Sequence, residues 1–190
     1  MRKKDESKNG AIYESTVQLV LEKGLAGVTM CDISKAAGIA TGTLYIYFSN
    51  KEALMNKVFN ICRKESASFY LNDYSPLDPF DVGFRKIFNN IVTYRLQHFE
   101  KFIFLEQCYH SPFITEDVRK DSLKYLNPIF DLLQKGKDDH IIKDLDDALL
   151  LGYIIGSVNE VIKKAHYGNK SLDHKKIAQL YQLCYDGILA

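Results

Sequence analysis

Net charge is almost missing from this chain. Its 190 residues carry 25 lysines and arginines against 24 aspartates and glutamates, for +1 overall. No whole-molecule field therefore names a partner. Long apolar runs are missing too. The longest, Ala148 to Ile155, ends before Asn159 and Glu160 and is far short of the roughly 20 residues of a membrane helix. The four cysteines, Cys31, Cys62, Cys108 and Cys184, stand far apart with no CxxC pair. The N-terminus is polar and lacks the apolar core of a signal segment. Together these features lead us to expect a soluble cytoplasmic protein with reduced thiols and no membrane partner.

Enzyme motifs are equally scarce. There is no Gly-rich phosphate loop, no GxSxG and no HExxH. Glu106 and His110 are four apart on an expected helix. A di-iron bundle needs two Glu-x-x-His pairs and further carboxylates, which are absent. Asp138-Asp139-His140 reads as a solvated turn. No metal, no cofactor and no catalytic residue is expected, and the enzyme class drops out.

Strand alternation is nearly absent as well, and helical spacing fills the space it leaves. Ile12, Leu19 and Val20 mark a first helix that stops at Gly24. Thr29 opens a second, with Asp32 at the capping-box position. That helix ends at Gly38, and a shorter one covers about 41–47. Asn50 caps a fourth that runs toward Tyr70. After the Pro-bearing linker Tyr74–Pro79, helices are expected at about 80–98, 100–109, 115–135, 145–166 and 172–188. Polar or Pro/Gly breaks divide them, among them Gly136-Lys137-Asp138-Asp139. The fold class is all-α. A basic start, Arg2, Lys3, Lys4 and Lys8, is either a solvated end or an arm along a phosphate backbone.

Two short helices joined by a tight turn have helix-turn-helix proportions, and in that motif the second helix enters the DNA major groove. The text AGIATGTLYIYFSNKEAL, Ala37 to Leu54, suits the task. Gly42 lets the backbone approach closely. Thr41 and Thr43 offer hydroxyls, Tyr45 and Tyr47 offer rings with polar tips, and Ile46 suits a thymine methyl. Lys51 is within reach of a phosphate. Leu44 and Phe48, four apart, are expected to pin the short helix to its neighbours. Packing aromatics would be the bland account of Tyr45 and Tyr47.

Here the text resembles the DNA-binding domain of TetR-family transcriptional regulators. The family pattern is T-x-x-x-I-A-x-x-A-G-V-S-x-G-T-L-Y-x-Y-F-x-x-K-E-x-L. It meets Thr29, Ile33, Ala37, Gly38, Gly42, Thr43, Leu44, Tyr45, Tyr47, Phe48, Lys51, Glu52 and Leu54 at fixed spacing. Ser34 stands where the family usually has Ala. Ala40 stands where a Ser often caps the recognition helix, a loss of about 1 kcal/mol, and Thr41 is placed to take over. The resemblance covers roughly residues 7–55. It implies phosphate contact at Thr29, base contact at Thr41, Gly42, Tyr45 and Ile46, and backbone contact at Thr43, Tyr47 and Lys51.

The same resemblance implies a DNA-binding domain at 1–55 and an effector-binding and dimerisation domain at 56–190. Residues 80–110 are rich in Phe and Tyr, and bundles hold apolar ligands between helices. Phe88, Phe102, Gln107, Tyr125 and Asn159 are the pocket candidates; a filled core without a cavity is the alternative. The run 149–158 is apolar nearly all round, with Gly152, Gly156 and Ser157 permitting a close crossing. By resemblance the last two helices form a four-helix homodimer interface, with Gly152, Ile155, Gly156, Leu180, Cys184 and Ile188 at the contact. The expected function is a homodimeric regulator, in the repressor sense. It binds a palindromic double-stranded operator and is released by a small, largely apolar effector. The rivals are a ligand-independent regulator and a helical binding protein without DNA function.

Overall fold

The computed structural model describes residues 6–190. Arg2, Lys3 and Lys4 of the basic start lie outside the described residues; Lys8 is exposed. The described residues form ten helices: α1 (Glu6–Gly27), α2 (Met30–Ala36), α3 (Thr41–Tyr47), α4 (Lys51–Tyr70), α5 (Phe80–Gln97), α6 (Phe99–Tyr109), α7 (Glu116–Lys124), α8 (Asn127–Asp138), α9 (Asp147–Tyr167) and α10 (His174–Ile188). Among them the β-type pairing is a single bridge, Ile142 with Leu189.

Two compact units share the chain, and they do not follow chain order. The first takes residues up to 65 and returns for 98–124; the second takes 66–97 and 125–190. The first unit is built on apolar side chains repeating at helical spacing. Ile12 and Val20 from α1, Ile33 from α2, Leu44 from α3, Leu54, Val58 and Phe59 from α4 and Phe104 from α6 are all sealed from water. Each such burial contributes about 1.5–3 kcal/mol against conformational entropy. The helical reading of α1 ends where expected. Gly24 has φ +71 and ψ 159, a left-handed value that breaks the helix, and only glycine adopts it without penalty.

In the second unit Phe80, Phe84 and Phe88 occupy one stripe of α5. Their rings meet Tyr181 and Tyr185 of α10: Phe84 lies 6.0 Å and Phe88 5.3 Å from Tyr181 between ring centroids. Leu150, Ile154, Val158 and Ile162 form the matching stripe of α9, four apart and buried.

Two expectations from the sequence are corrected. The single helix expected over 115–135 is two, α7 and α8. The break falls at Tyr125-Leu126, just before Asn127-Pro128. Proline has no N–H to give the preceding turn and its ring clashes with the carbonyl four residues back, so it cannot continue a helix but fits the first turn of a new one. Gly136, read as part of a break, lies inside α8, which continues to Asp138. Its role is close approach. A Cβ there would sit 2.5 Å from Cε2 of Phe80, whose ring is 2% exposed.

That contact sets a prediction. Gly136→Ala should lower the urea midpoint, because an overpacking cost of about 1–3 kcal/mol exceeds the gain of about 1 kcal/mol in helix propensity. Gly10→Ala, in a helix with nothing within 4 Å of the new Cβ, should hold or raise the midpoint. An equal response at both sites would contradict the packing argument.

Candidate nucleic-acid interface

Thr29 caps α2 through a reciprocal box. Its Oγ1 accepts from the Asp32 N–H at 3.1 Å, and the Asp32 carboxylate accepts from the Thr29 N–H at 3.0 Å. The Thr29 hydroxyl also donates to Asp32 Oδ2 at 2.7 Å, and Lys23 holds Oδ1 at 2.8 Å. The Lys23 ammonium and then the two Thr29 donors pull the Asp32 carboxyl down to about 2. So the proton of Thr29, expected at a phosphate, is engaged within its own cap.

The turn after α2 is closed by backbone. Ala37 donates to the Ile33 carbonyl at 2.9 Å, Gly38 to Lys35 at 3.2 Å and Ile39 to Ser34 at 3.0 Å. Gly38 has φ +67. A Cβ there would meet nothing within 4 Å, so glycine is required for backbone conformation and not for space.

α3 follows with seven residues. Ala40 stands at its N-cap and provides no side-chain bond. Thr41 does not replace it: its hydroxyl lies 2.7 Å from the hydroxyl of Ser34. Leu44 is fully buried and Phe48 is 9% exposed, so both anchor the helix as expected. Phe48 packs against Tyr13 and Tyr47, with ring centroids 6.4 and 6.5 Å apart. Tyr47 is half-buried in this packing. The opposite face is open. Gly42 is exposed, Tyr45 is 51% exposed and Ile46 is 80% exposed. Thr43 is half-buried.

Lys51 is placed differently from the expectation. Its Nζ donates to the Leu25 carbonyl at 2.7 Å and lies 4.5 Å from the Phe113 ring centre. Burial lowers its pKa. It joins the start of α4 to the kinked end of α1 and does not extend into solvent. Asn50 caps α4 as expected, accepting from Ala53 N at 2.8 Å. Sequence reasoning missed the other support of α4. Asn56 donates to the Phe113 carbonyl at 2.8 Å and accepts from Thr115 N at 3.0 Å. No local signal marks a partner almost sixty residues away.

The remaining site candidates fall in separate places. In the second unit Phe88 lines an apolar cavity of about 30 Å³ with Phe84, Ile87, Ile91, Leu133, Ile154, Ile155 and Val158, among others. The other four pocket candidates are not in its lining. Phe102 is a buried residue of the first unit. Gln107 is exposed there, accepting from Leu25 N at 3.3 Å. Tyr125 and Asn159 are half-buried. Of the expected dimer residues, Gly152 and Gly156 are exposed and Ile155 is half-buried. Leu180, Cys184 and Ile188 are 7%, 1% and 1% exposed, already covered within the chain. The large apolar or aromatic residues left open on these helices are Leu149, Tyr153, Tyr167 and Leu183, at 59%, 45%, 66% and 68%. Tyr153 hydroxyl donates to the Leu183 carbonyl at 3.1 Å.

A helix-turn-helix whose second helix turns a tyrosine and an isoleucine outward defines a helical DNA-binding regulator. Residues 12–58 match "Bacterial regulatory proteins, tetR family" and residues 79–189 match "Tetracyclin repressor-like, C-terminal domain". The chain belongs to the TetR family of transcriptional regulators. It is 29% identical over 80 residues to an uncharacterized HTH-type transcriptional regulator of Haemophilus influenzae, covering 42% of this chain and 43% of that protein. It is 24% identical over 133 residues to the negative transcriptional regulator IcaR of the biofilm operon icaADBC of Staphylococcus epidermidis, covering 65% of this chain and 72% of that one. The crystal structure of a TetR family regulator from Marinobacter aquaeolei VT8 superposes with a TM-score of 0.91 at 24% identity, over 100% of this chain and 99% of the other. Among the described residues no helix is long and apolar enough to cross a membrane.

Two outcomes follow from the geometry. Carboxyl titration by NMR should place Asp32 near 2, and Lys23→Ala should raise it. Because the folded value lies below the ordinary 3.8, the cap's contribution is complete above that value and is lost as pH falls through about 2. An Asp32 that titrates at its ordinary value would contradict the box. Lys51→Met should lower stability by about 1.5–3 kcal/mol, the range for a hydrogen bond to a charged group. An unchanged melting temperature would show that the Leu25 bond carries no weight.

Proposed function

We propose that the protein is a cytoplasmic homodimeric repressor that reads a palindromic operator with α3. The observation that carries this reading is the exposure of Tyr45 and Ile46 on a helix whose other face is locked by Leu44 and Phe48. An isoleucine 80% exposed has no structural use in the single chain. Against a major groove it meets a thymine methyl, while Tyr45 adds a ring and a hydroxyl. Gly42 admits the backbone close to the duplex. Thr43 and the Tyr47 hydroxyl face the flanking phosphates. Thr29 and Lys51 act through the α2 cap and the α1–α4 junction, and the free N–H groups of those helix starts meet phosphate.

One seven-residue helix reads few bases, so two copies spaced about 34 Å apart are needed. The exposed Leu149, Gly152, Tyr153, Gly156 and Leu183 support an isologous contact through α9 and α10. The domain division proposed is 1–55 for DNA and 56–190 for effector binding and dimerisation. Residues 51–65 of α4 fall in the first compact unit and 66–70 in the second. A shift of that helix would change the spacing of the two recognition helices and lower operator affinity.

The apolar lining around Phe88 supports an effector without charge. Its volume of about 30 Å³ is far below the roughly 300–1,000 Å³ of small-molecule sites. That size favours a second reading, a regulator that needs no ligand. In the first reading α5, α8 and α9 must separate on binding.

The test is selection from randomised duplexes by the purified chain at low salt, with Tyr45→Ala beside it. A palindrome is expected, lost in the variant. Absence of enrichment from a well-folded protein would refute the regulator and leave a helical binding protein. Leu183→Glu should convert the dimer to monomer in sedimentation equilibrium. A dimer that survives this change would place the contact elsewhere.

A further inference from the structure

Ser34 is buried, 1% exposed, in the middle of α2, and it serves both sides of the turn. Its carbonyl accepts from Ile39 N at 3.0 Å. Its hydroxyl donates to the Cys31 carbonyl at 3.0 Å and lies 2.7 Å from the hydroxyl of Thr41, the first residue of α3. Two hydroxyls carry two protons. When Ser34 donates to Cys31, Thr41 must donate to Ser34, and the outward side of Thr41 can only accept. When Ser34 turns its proton to Thr41, the Thr41 proton is released outward and can be given to an acceptor. The Cys31 carbonyl sits in the helix and keeps the donor four residues on, so the second arrangement leaves it satisfied.

We propose that Ser34 is a positioning residue for DNA binding, and that it acts by holding the Thr41 hydroxyl and donating a hydrogen bond to it when Thr41 donates its own proton to a hydrogen bond with the duplex. The acceptor class is an anionic phosphate oxygen: the chain Ser34–Thr41–phosphate ends on a charge, and hydrogen bonds in such a chain strengthen one another. Ala40 contributes no cap to compete for Thr41. The inference rests on α3 as the DNA-reading helix.

The test is a double-mutant cycle on the full chain with the duplex obtained by selection. Affinities of Ser34→Ala, Thr41→Val and the double variant are measured by fluorescence anisotropy, alongside phosphate ethylation interference. Each single variant is expected to lose about tenfold, the order of one charge-assisted hydrogen bond. The double variant should lose no more than either single one, and the same phosphate should drop out of the interference pattern in all three. Thr41→Ser keeps the hydroxyl and should bind like the unmodified chain, which supports the proposal even where Ser34→Ala folds poorly. Additive losses, or a Ser34→Ala protein with full affinity and an unchanged pattern, would overturn it. Tyr45→Ala separates the two claims. If it abolishes binding while Ser34→Ala does not weaken it, only the role of Ser34 fails. If the unmodified chain selects no duplex, both fail.

Discussion

Leu44 is the side chain on which the DNA-facing surface depends. A seven-residue helix has no stability of its own in water, and this one also lacks a side-chain cap. Leu44, sealed among the side chains of the first unit's core, supplies what propensity does not. Phe48 closes the helix C-terminus, where its N–H meets the Leu44 carbonyl at 3.0 Å. With the inner face fixed at two points, the outer face can carry Gly42, Tyr45 and Ile46 in the open without being needed to hold the helix in place.

The same logic extends outward. α2 is held by a box that engages Thr29 fully and draws in Lys23. α4 begins where Asn50 caps it and Lys51 ties it to the end of α1. The loop before α7 docks on α4 through Asn56. Several polar residues that a motif assigns to DNA are thus occupied in holding the motif's shape. In the proposed reading their contribution to affinity runs through the orientation of α3, and membership of the TetR family does not fix which hydroxyls touch the duplex.

Local chemistry was legible in the sequence and distant packing was not. Gly24, Gly38, Thr29 with Asp32, and Asn50 each act within a few residues of themselves, so their turns and caps could be read directly. Pro128 is a local signal of the same kind: it marks the first turn of α8, where a missing N–H costs nothing. Gly136 looked like a break because nothing local shows the Phe80 ring that needs its space. The stripe Leu180, Cys184 and Ile188 says that α10 has an apolar face, not what covers it. α5 and α9 do, leaving Leu183 outside. A cavity is the residue of three helices packing imperfectly, and no residue type marks it in advance.

Hydrogen–deuterium exchange of the full chain, with and without the selected duplex, would show whether α3 is the element that DNA covers. DNA should slow exchange in residues 41–47 and at the start of α4, with smaller effects in α9 and α10. Protection confined to the second unit, with α3 exchanging as fast as in the free protein, would contradict it.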